Sequence, residues 1–129
     1  MRTHVRALAA LAFLAAGIPL TTALGGNLSF LDQSPVSRFT PEDVDMMHQN
    51  SIQVLDAQGA SAKQSWSNTR TGASGWAQVR GQFTASDGAP CKRLRVVNRA
   101  RGLESDSTFT VCKYADRGWI LNADAAPAR

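Results

Sequence analysis

The first regular pattern of apolar and polar positions lies between residues 40 and 59. Thr40 is a favourable N-cap, and Pro41 follows at the first helical position, where its missing N–H group costs nothing. Apolar residues then recur at helical spacing, at Val44, Met47, Ile52 and Leu55. The pattern predicts an amphipathic helix from Pro41 to Ala57 that is ended by Gly59.

After this helix the pattern changes to short β-branched and aromatic runs separated by turn residues. The runs are Ala62 to Asn68, Trp76 to Ala85, Cys91 to Ala100, Ser107 to Tyr114 and Trp119 to Asn122. Each intervening segment contains the glycine that a tight reversal favours. We therefore predict an α+β fold, in which one helix precedes a small antiparallel meander or partly open barrel of about five strands. The helix would cover one face of the sheet or plug its open end.

The third and fourth runs predict a hairpin centred on Arg101 and Gly102. This register places Cys91 directly opposite Cys112, at a separation that a disulfide can bridge. Alternation along the two strands then assigns the side chains to two faces. We expect Arg93, Arg95 and Arg99 on the cysteine face, and a core formed by Leu94, Val96, Phe109 and Val111.

The N-terminus has the pattern of a secretory signal. Arg2, His4 and Arg6 precede an apolar run from Ala7 to Leu20, which is too short to span a bilayer. Small residues allow cleavage after Ala23 or after Gly25. An uncleaved anchor reaching from Val5 to Leu24 is the alternative. Two cysteines outside the leader fit a disulfide in an oxidising compartment, and no cysteine follows the apolar run to be lipidated.

Charge changes the picture only through its distribution. The chain has 14 basic and 10 acidic residues, and loss of Arg2 and Arg6 with the leader would leave 12 against 10. The basic residues concentrate in the third run, where Arg93, Arg95 and Arg99 would form a cationic row. This row is a candidate surface for an anionic partner, the alternative being a merely solvated strand face. An exported protein does not meet nucleic acid, so we expect lipid head groups, lipopolysaccharide phosphates or an acidic protein.

The sequence offers no convincing catalytic, metal or cofactor site. Asp45 and His48 share a helix face, but no third ligand follows at a matching spacing. There is no Gly-x-Ser-x-Gly elbow, and beyond the leader His48 is the one histidine that could serve a catalytic triad. We expect a protein that is not an enzyme and that uses no cofactor.

The order of features resembles the C-terminal domain of the rickettsial-type 17-kDa common surface antigen family, from about Thr40 to Leu121. The features that carry it are the Thr-Pro-Glu-Asp helix start, Leu55-Asp56, Trp66, Asn68, Thr71-Gly72, Gly75, Phe83, Asp87-Gly88, Cys91-Lys92, Cys112 and Asp116-Arg117-Gly118-Trp119. The chain lacks the lipidated cysteine and glycine zipper common in that family, and also an Asn-Pro after Trp66. The resemblance implies a small β-domain in a Gram-negative envelope, and it brings no established enzymatic role that could be carried over to this chain.

Together these observations predict four segments and a location. The segments are a signal peptide (1–25), an extended lead-in (26–39), a surface-antigen-like α+β domain (40–122) and a disordered tail (123–129). We expect the mature protein in the periplasm or at the outer membrane, with no stable transmembrane span after cleavage. We favour a structural or interaction module whose partner is an envelope protein or an anionic envelope component. The alternative is a small-ligand binding domain with a pocket between helix and sheet.

Overall fold

The computed structural model describes residues 34–128, so the predicted leader and residues 26–33 of the lead-in lie outside the described residues. A 3-10 helix precedes one α-helix and five strands. Their bounds are Pro35–Arg38 for the 3-10 helix, Pro41–Asp56 for α1, and Lys63–Ser67, Ser74–Thr84, Pro90–Ala100, Leu103–Tyr114 and Gly118–Leu121 for β1 to β5.

Helix α1 begins with a capping box. The Thr40 hydroxyl accepts a hydrogen bond from the backbone N–H of Asp43, and the Asp43 carboxylate accepts one from the backbone N–H of Thr40. Pro41 occupies the first turn. The helix ends at Asp56, with Ala57 as the C-cap. The predicted helix is confirmed, and its C-terminus differs by one residue.

The five strands form one open antiparallel sheet in the order β1-β2-β3-β4-β5, so every strand pairs with its neighbour in sequence. The predicted α+β meander is confirmed, and the sheet does not close into a barrel. In the β3–β4 turn both Arg101 and Gly102 have positive φ, at 49° and 77°. Such a turn matches the twist of the two strands that it joins.

The predicted register of the β3–β4 hairpin is also confirmed. Cys91 pairs with Cys112, and Leu94 pairs with Phe109. Strand β4 begins at Leu103, four residues before the predicted start at Ser107. Its first half alternates glutamate, serine and aspartate and is largely exposed, so no apolar periodicity marks it as a strand.

Helix α1 packs on one face of the sheet and makes the main core there. The buried members are Val54, Leu55, Ala77, Val79, Leu94, Val96 and Val111. Of the four residues predicted as core, Leu94, Val96 and Val111 are buried, whereas Phe109 is 40% exposed. The prediction for Phe109 was wrong because α1 packs mainly over β1 and β2 and makes few contacts with β3, which lies between them and β4.

Strand β2 contains a bulge between Val79 and Gly81. Up to Val79, odd-numbered residues of β2 face α1, but after the bulge Phe83 pairs with Cys91 on the opposite face. A second small cluster therefore forms on that face, around the cysteines, Phe83 and Tyr114. The chain after β5 returns to it, since Ala125 packs there and Pro127 bridges Ala85.

Within residues 34–128, neither helix has the length and apolar character needed to cross a membrane.

Candidate functional site

An apolar groove with a volume of about 500 Å³ lies between α1 and strands β3 to β5. Its walls come from three places: the 3-10 helix, one side of α1, and strands β3 to β5. We call this the apolar groove. It is lined by Val36, Met47, His48, Ser51, Ile52, Leu55, Leu94, Val96, Asn98, Phe109, Val111, Trp119 and Leu121.

The groove exists because a single helix is narrower than a five-stranded sheet. Since α1 lies mainly over β1 and β2, β4 and β5 meet it, among residues 34–128, near its C-terminal end, where Trp119 of β5 donates to Asp56. Four large hydrophobic residues are consequently exposed along the groove: Val36 by 41%, Ile52 by 49%, Phe109 by 40% and Leu121 by 60%. Clustered exposed apolar side chains of this size commonly mark an interaction surface.

The groove contains few polar groups. Asn98 is only 5% exposed, and its Nδ2 lies 3.3 Å from the Met47 sulfur, while its Oδ1 has no hydrogen-bond partner among the described residues. His48 is exposed at the rim. Across residues 34–128 no three His, Cys, Asp or Glu side chains come together as a metal site would require.

The opposite face of the sheet carries Arg93, Arg95 and Arg99, as the register predicted. Two of them meet acidic residues of β4. The Arg95 guanidinium donates to both carboxylate oxygens of Asp106, with Nε 2.9 Å from Oδ1, and Arg99 donates to Glu104. This hydrogen bonding raises the pKa of Arg95 and lowers that of Asp106. The row is therefore partly neutralised from within the domain.

Arg93 differs from its two neighbours. Its guanidinium lies over the Phe83 ring, 5.1 Å from the ring centre, and no carboxylate in the described part of the chain pairs with it. Trp76, farther along the same face, has Lys63 at 4.2 Å and Arg95 at 5.2 Å from its ring centre. Among the described residues, Arg93 is thus the member of the predicted cationic row whose charge no carboxylate neutralises.

A buried polar cluster joins the start of α1 to the β1–β2 turn. Asp43 is fully buried, and besides the Thr40 N–H it accepts hydrogen bonds from Asn68 Nδ2 and Thr71 Oγ1, all at 2.8 Å. Burial opposes ionisation of Asp43, but the hydrogen bonds outweigh it and lower the pKa of the carboxyl group. Arg70 and Glu42 form an ion pair at the exposed rim of this cluster.

A second polar cluster fixes the other end of α1. Lys92 donates from Nζ to the backbone carbonyl of Leu55 at 2.6 Å, which satisfies a carbonyl in the last turn of the helix. Trp119 donates from Nε1 to Asp56 at 2.9 Å, and Lys113 lies 3.6 Å from the same carboxylate. The hydrogen bond from Trp119 is the main cause of the lowered pKa of Asp56.

The predicted disulfide is present. Cys91 and Cys112 are bonded, with a Cα–Cα distance of 4.0 Å and both residues buried. The bond joins strands that are already paired, and closing a loop of this size contributes about 3 kcal/mol to stability in the chain-entropy model.

The sequence indicated some of these residues but not their association. Thr40 and Asp43 were expected as helix-start residues, and Asn68 and Thr71 stood out only as members of an ordered motif. A pocket between helix and sheet was expected only in the alternative function, and the exposure of Phe109 was not predicted, because Phe109 alternates with polar residues as a core residue would. One signal was present: Leu121, at the end of the last apolar run, has no apolar partner on a further strand.

Comparison with known protein families identifies a match. The family model for the 17 kDa outer membrane surface antigen matches residues 53–120, which are 68 of the 129 residues. No curated protein and no solved structure matches the chain. The matched range runs from the last turn of α1 to β5 and contains the disulfide, the bulge and seven of the thirteen residues that line the groove. The chain therefore belongs to the 17 kDa outer membrane surface antigen family.

Proposed function

We propose that this protein is an interaction module of the cell envelope, and that its apolar groove receives part of a partner protein. Membership of an outer membrane surface antigen family associates the chain with the envelope. The observation that carries the proposal is the exposure of Val36, Ile52, Phe109 and Leu121 along one continuous groove. A water-exposed groove of this composition gains free energy when a partner covers it, at about 25 cal/mol per Å² of apolar surface.

Charge gives the two sheet faces different roles. The groove is predominantly apolar, whereas the opposite face presents ion pairs and cations over aromatic rings. Exposed ion pairs contribute little to binding free energy, because they are already solvated and mutually satisfied. The groove is therefore the better candidate for supplying affinity. The opposite face, with Arg93, Arg95 and Arg99, which we call the arginine face, is the better candidate for orienting the protein near anionic material.

Photo-crosslinking in cells tests the proposal. A photoreactive amino acid in place of Phe109 points into the groove, while the same group in place of the neighbouring exposed Thr108 points to the arginine face. We expect a defined cross-linked partner, identified by mass spectrometry, from position 109 and not from position 108. Leu121→Asp should abolish that product. Equal cross-linking from both positions, or none from position 109, contradicts the proposal.

A small apolar ligand is the second candidate, because about 500 Å³ lies within the range of small-molecule sites. Native mass spectrometry of the protein purified after export distinguishes the two. A stoichiometric bound molecule that Phe109→Asp removes would favour this alternative.

A further inference from the structure

The outer edge of β4 is only half covered. Strand β5 pairs with β4 from Val111 to Tyr114, although β4 itself begins at Leu103. Past β5, the backbone N–H of Asn122 donates to Thr110 at 2.9 Å, and the chain then turns, with Ala125 donating back to Asn122. Residues 103–109 of β4 consequently form a sheet edge without a neighbouring strand among residues 34–128.

The register shows which backbone groups this edge offers. A Cα–Cα distance of 4.0 Å identifies Cys91 and Cys112 as a narrow, non-hydrogen-bonded pair. The N–H and C=O groups of Cys112 therefore point away from β3, as do those of every second residue before it. Thr110 accepts its hydrogen bond from Asn122 on this side. The next three outward-pointing residues, Glu104, Asp106 and Thr108, have no backbone partner in the described part of the chain.

The open edge borders the apolar groove. Phe109, which lines the groove, is the last residue of the uncovered half, and Leu121, which also lines it, ends β5 opposite Val111. A strand added here would place alternate side chains over the groove and the others beside Glu104, Asp106 and Thr108. The uncovered half spans about 23 Å at strand spacing, enough for one ordinary strand.

The usual protection of a sheet edge is weak here. Residues 103–109 contain no proline, no lysine and no bulge, which are common devices against edge pairing. The two acidic residues on the edge, Glu104 and Asp106, are held by Arg99 and Arg95 of β3 on the face away from the groove. The side chains of Glu104 and Asp106 therefore do not obstruct a strand that pairs with this edge.

We propose that the open edge of β4 pairs with an extended segment of a partner protein, which adds a sixth strand to the sheet. The segment carries apolar side chains at the alternate positions over the groove, and polar or basic side chains at the positions beside Glu104 and Asp106. Backbone hydrogen bonds supply affinity and the groove selects the apolar positions. This inference rests on the proposed function and names the class of partner.

A synthetic peptide tests strand addition directly. The probe has about eight residues, with valine and phenylalanine alternating with threonine and lysine. Two control peptides have the same sequence but carry N-methyl groups on alternate amides, one on each side of the strand. An extended strand donates to β4 from one side only, so we expect one isomer to lose binding by about tenfold or more and the other to keep it.

Amide hydrogen exchange supplies the second readout, with the full-length protein purified after expression with its own leader. Saturation with the unmodified peptide should slow exchange of the Glu104, Asp106 and Thr108 amides by about fivefold or more, because their N–H groups become hydrogen bonded. The amide of Lys63, on the far edge of the sheet, is the internal control and should not change.

Each contrary result has a distinct meaning. Equal binding by both N-methyl isomers, or no slowing at the three amides, overturns strand addition while leaving groove binding in place. Absence of binding by the unmodified peptide also overturns it. Strong protection of these amides in the free protein, lost when residues 26–33 are deleted, would assign the edge to the chain's own lead-in and overturn the inference. The proposed function fails separately, through the cross-linking at position 109.

Discussion

Gly75 shows how closely single residues are fitted in this domain. It lies on the α1 side of β2, opposite Asn98 of β3 and beside Trp66 of β1. A Cβ atom added to Gly75 would lie 2.4 Å from the carbonyl oxygen of Val97 and 2.8 Å from both Asn98 Oδ1 and Trp66 Nε1. The carbonyl belongs to the sheet backbone, so a side chain here requires the strands to move.

We therefore expect Gly75→Ala to lower the free energy of unfolding by about 1–3 kcal/mol, the usual cost of overpacking. Gly81→Ala, in the same strand, is the matched control, because its nearest neighbour is the flexible end of Arg93 at 3.8 Å. Urea denaturation of both variants measures the difference. Equal stability of the two would show that the strands adjust without cost.

Asp43 is the buried charged side chain of the part of the chain that the structure describes. It is buried and accepts hydrogen bonds from Thr40, Asn68 and Thr71. Asn in its place has one acceptor oxygen instead of two, and its NH₂ group faces existing donors. We expect Asp43→Asn to lower the free energy of unfolding at neutral pH by about 1–3 kcal/mol. Asp45→Asn, an exposed position on the same helix, should change it little.

The pH dependence of this loss follows from the lowered pKa of Asp43. Its folded-state pKa lies below the ordinary value of 3.8, so the ionised carboxylate stabilises the fold above that pH. The stabilisation disappears as the pH falls through the folded-state pKa. The difference between the wild type and Asp43→Asn in urea denaturation should therefore narrow as the pH falls below 3.8. A difference that stays constant into acid would contradict the assignment.

At the scale of elements, the predictions that the structure confirms rested mainly on local sequence patterns. The start of helix α1 could be predicted from Thr40 and Pro41, since capping and proline chemistry act within one turn. The β3–β4 hairpin was readable because its turn residues and its two cysteines fix one register. The first half of β4 was not readable, because a strand with no buried face leaves no apolar periodicity.

The three arginines of the arginine face differ in their contacts. Arg95 and Arg99 pair with Asp106 and Glu104, whereas Arg93 lies over Phe83 with no carboxylate partner among residues 34–128. If this face meets anionic envelope lipids, Arg93→Gln should weaken binding to vesicles containing phosphatidylglycerol more than Arg99→Gln does. Binding should also weaken with salt, as screening shortens to about 8 Å at physiological ionic strength. Equal effects of the two substitutions, or salt-independent binding, would contradict a role for this face.

At the scale of the whole molecule, the coverage of the sheet could not be predicted. Five strands and one helix were evident from the sequence, but the side of the sheet on which the helix lies depends on tertiary contacts. Lys92 and Trp119 hold the C-terminal end of α1, and the Asp43 cluster holds its N-terminal end against the β1–β2 turn. These two attachments, distant in sequence, fix α1 to the β1–β2 turn at one end and to β3 and β5 at the other, and they leave the groove open between α1 and β4.

The whole chain also carries a prediction that lies outside the described residues. The basic start and the short apolar run predict export with cleavage after Ala23 or Gly25. Intact mass measurement of the protein isolated from cells should show loss of the leader at one of these positions. Recovery of Met1 on protein from the membrane fraction would instead favour the uncleaved anchor.

The sequential order of the strands has a consequence for how the chain assembles. In this meander every strand pairs with the one made just before it, so no pairing must wait for a distant part of the chain. Low sequence separation between contacts favours fast folding. Cys91 and Cys112 are brought together by the β3–β4 hairpin itself, so oxidation follows pairing and need not direct it. An unfolded chain that reaches the oxidising side of a membrane can therefore form its strand pairs first and its disulfide afterwards.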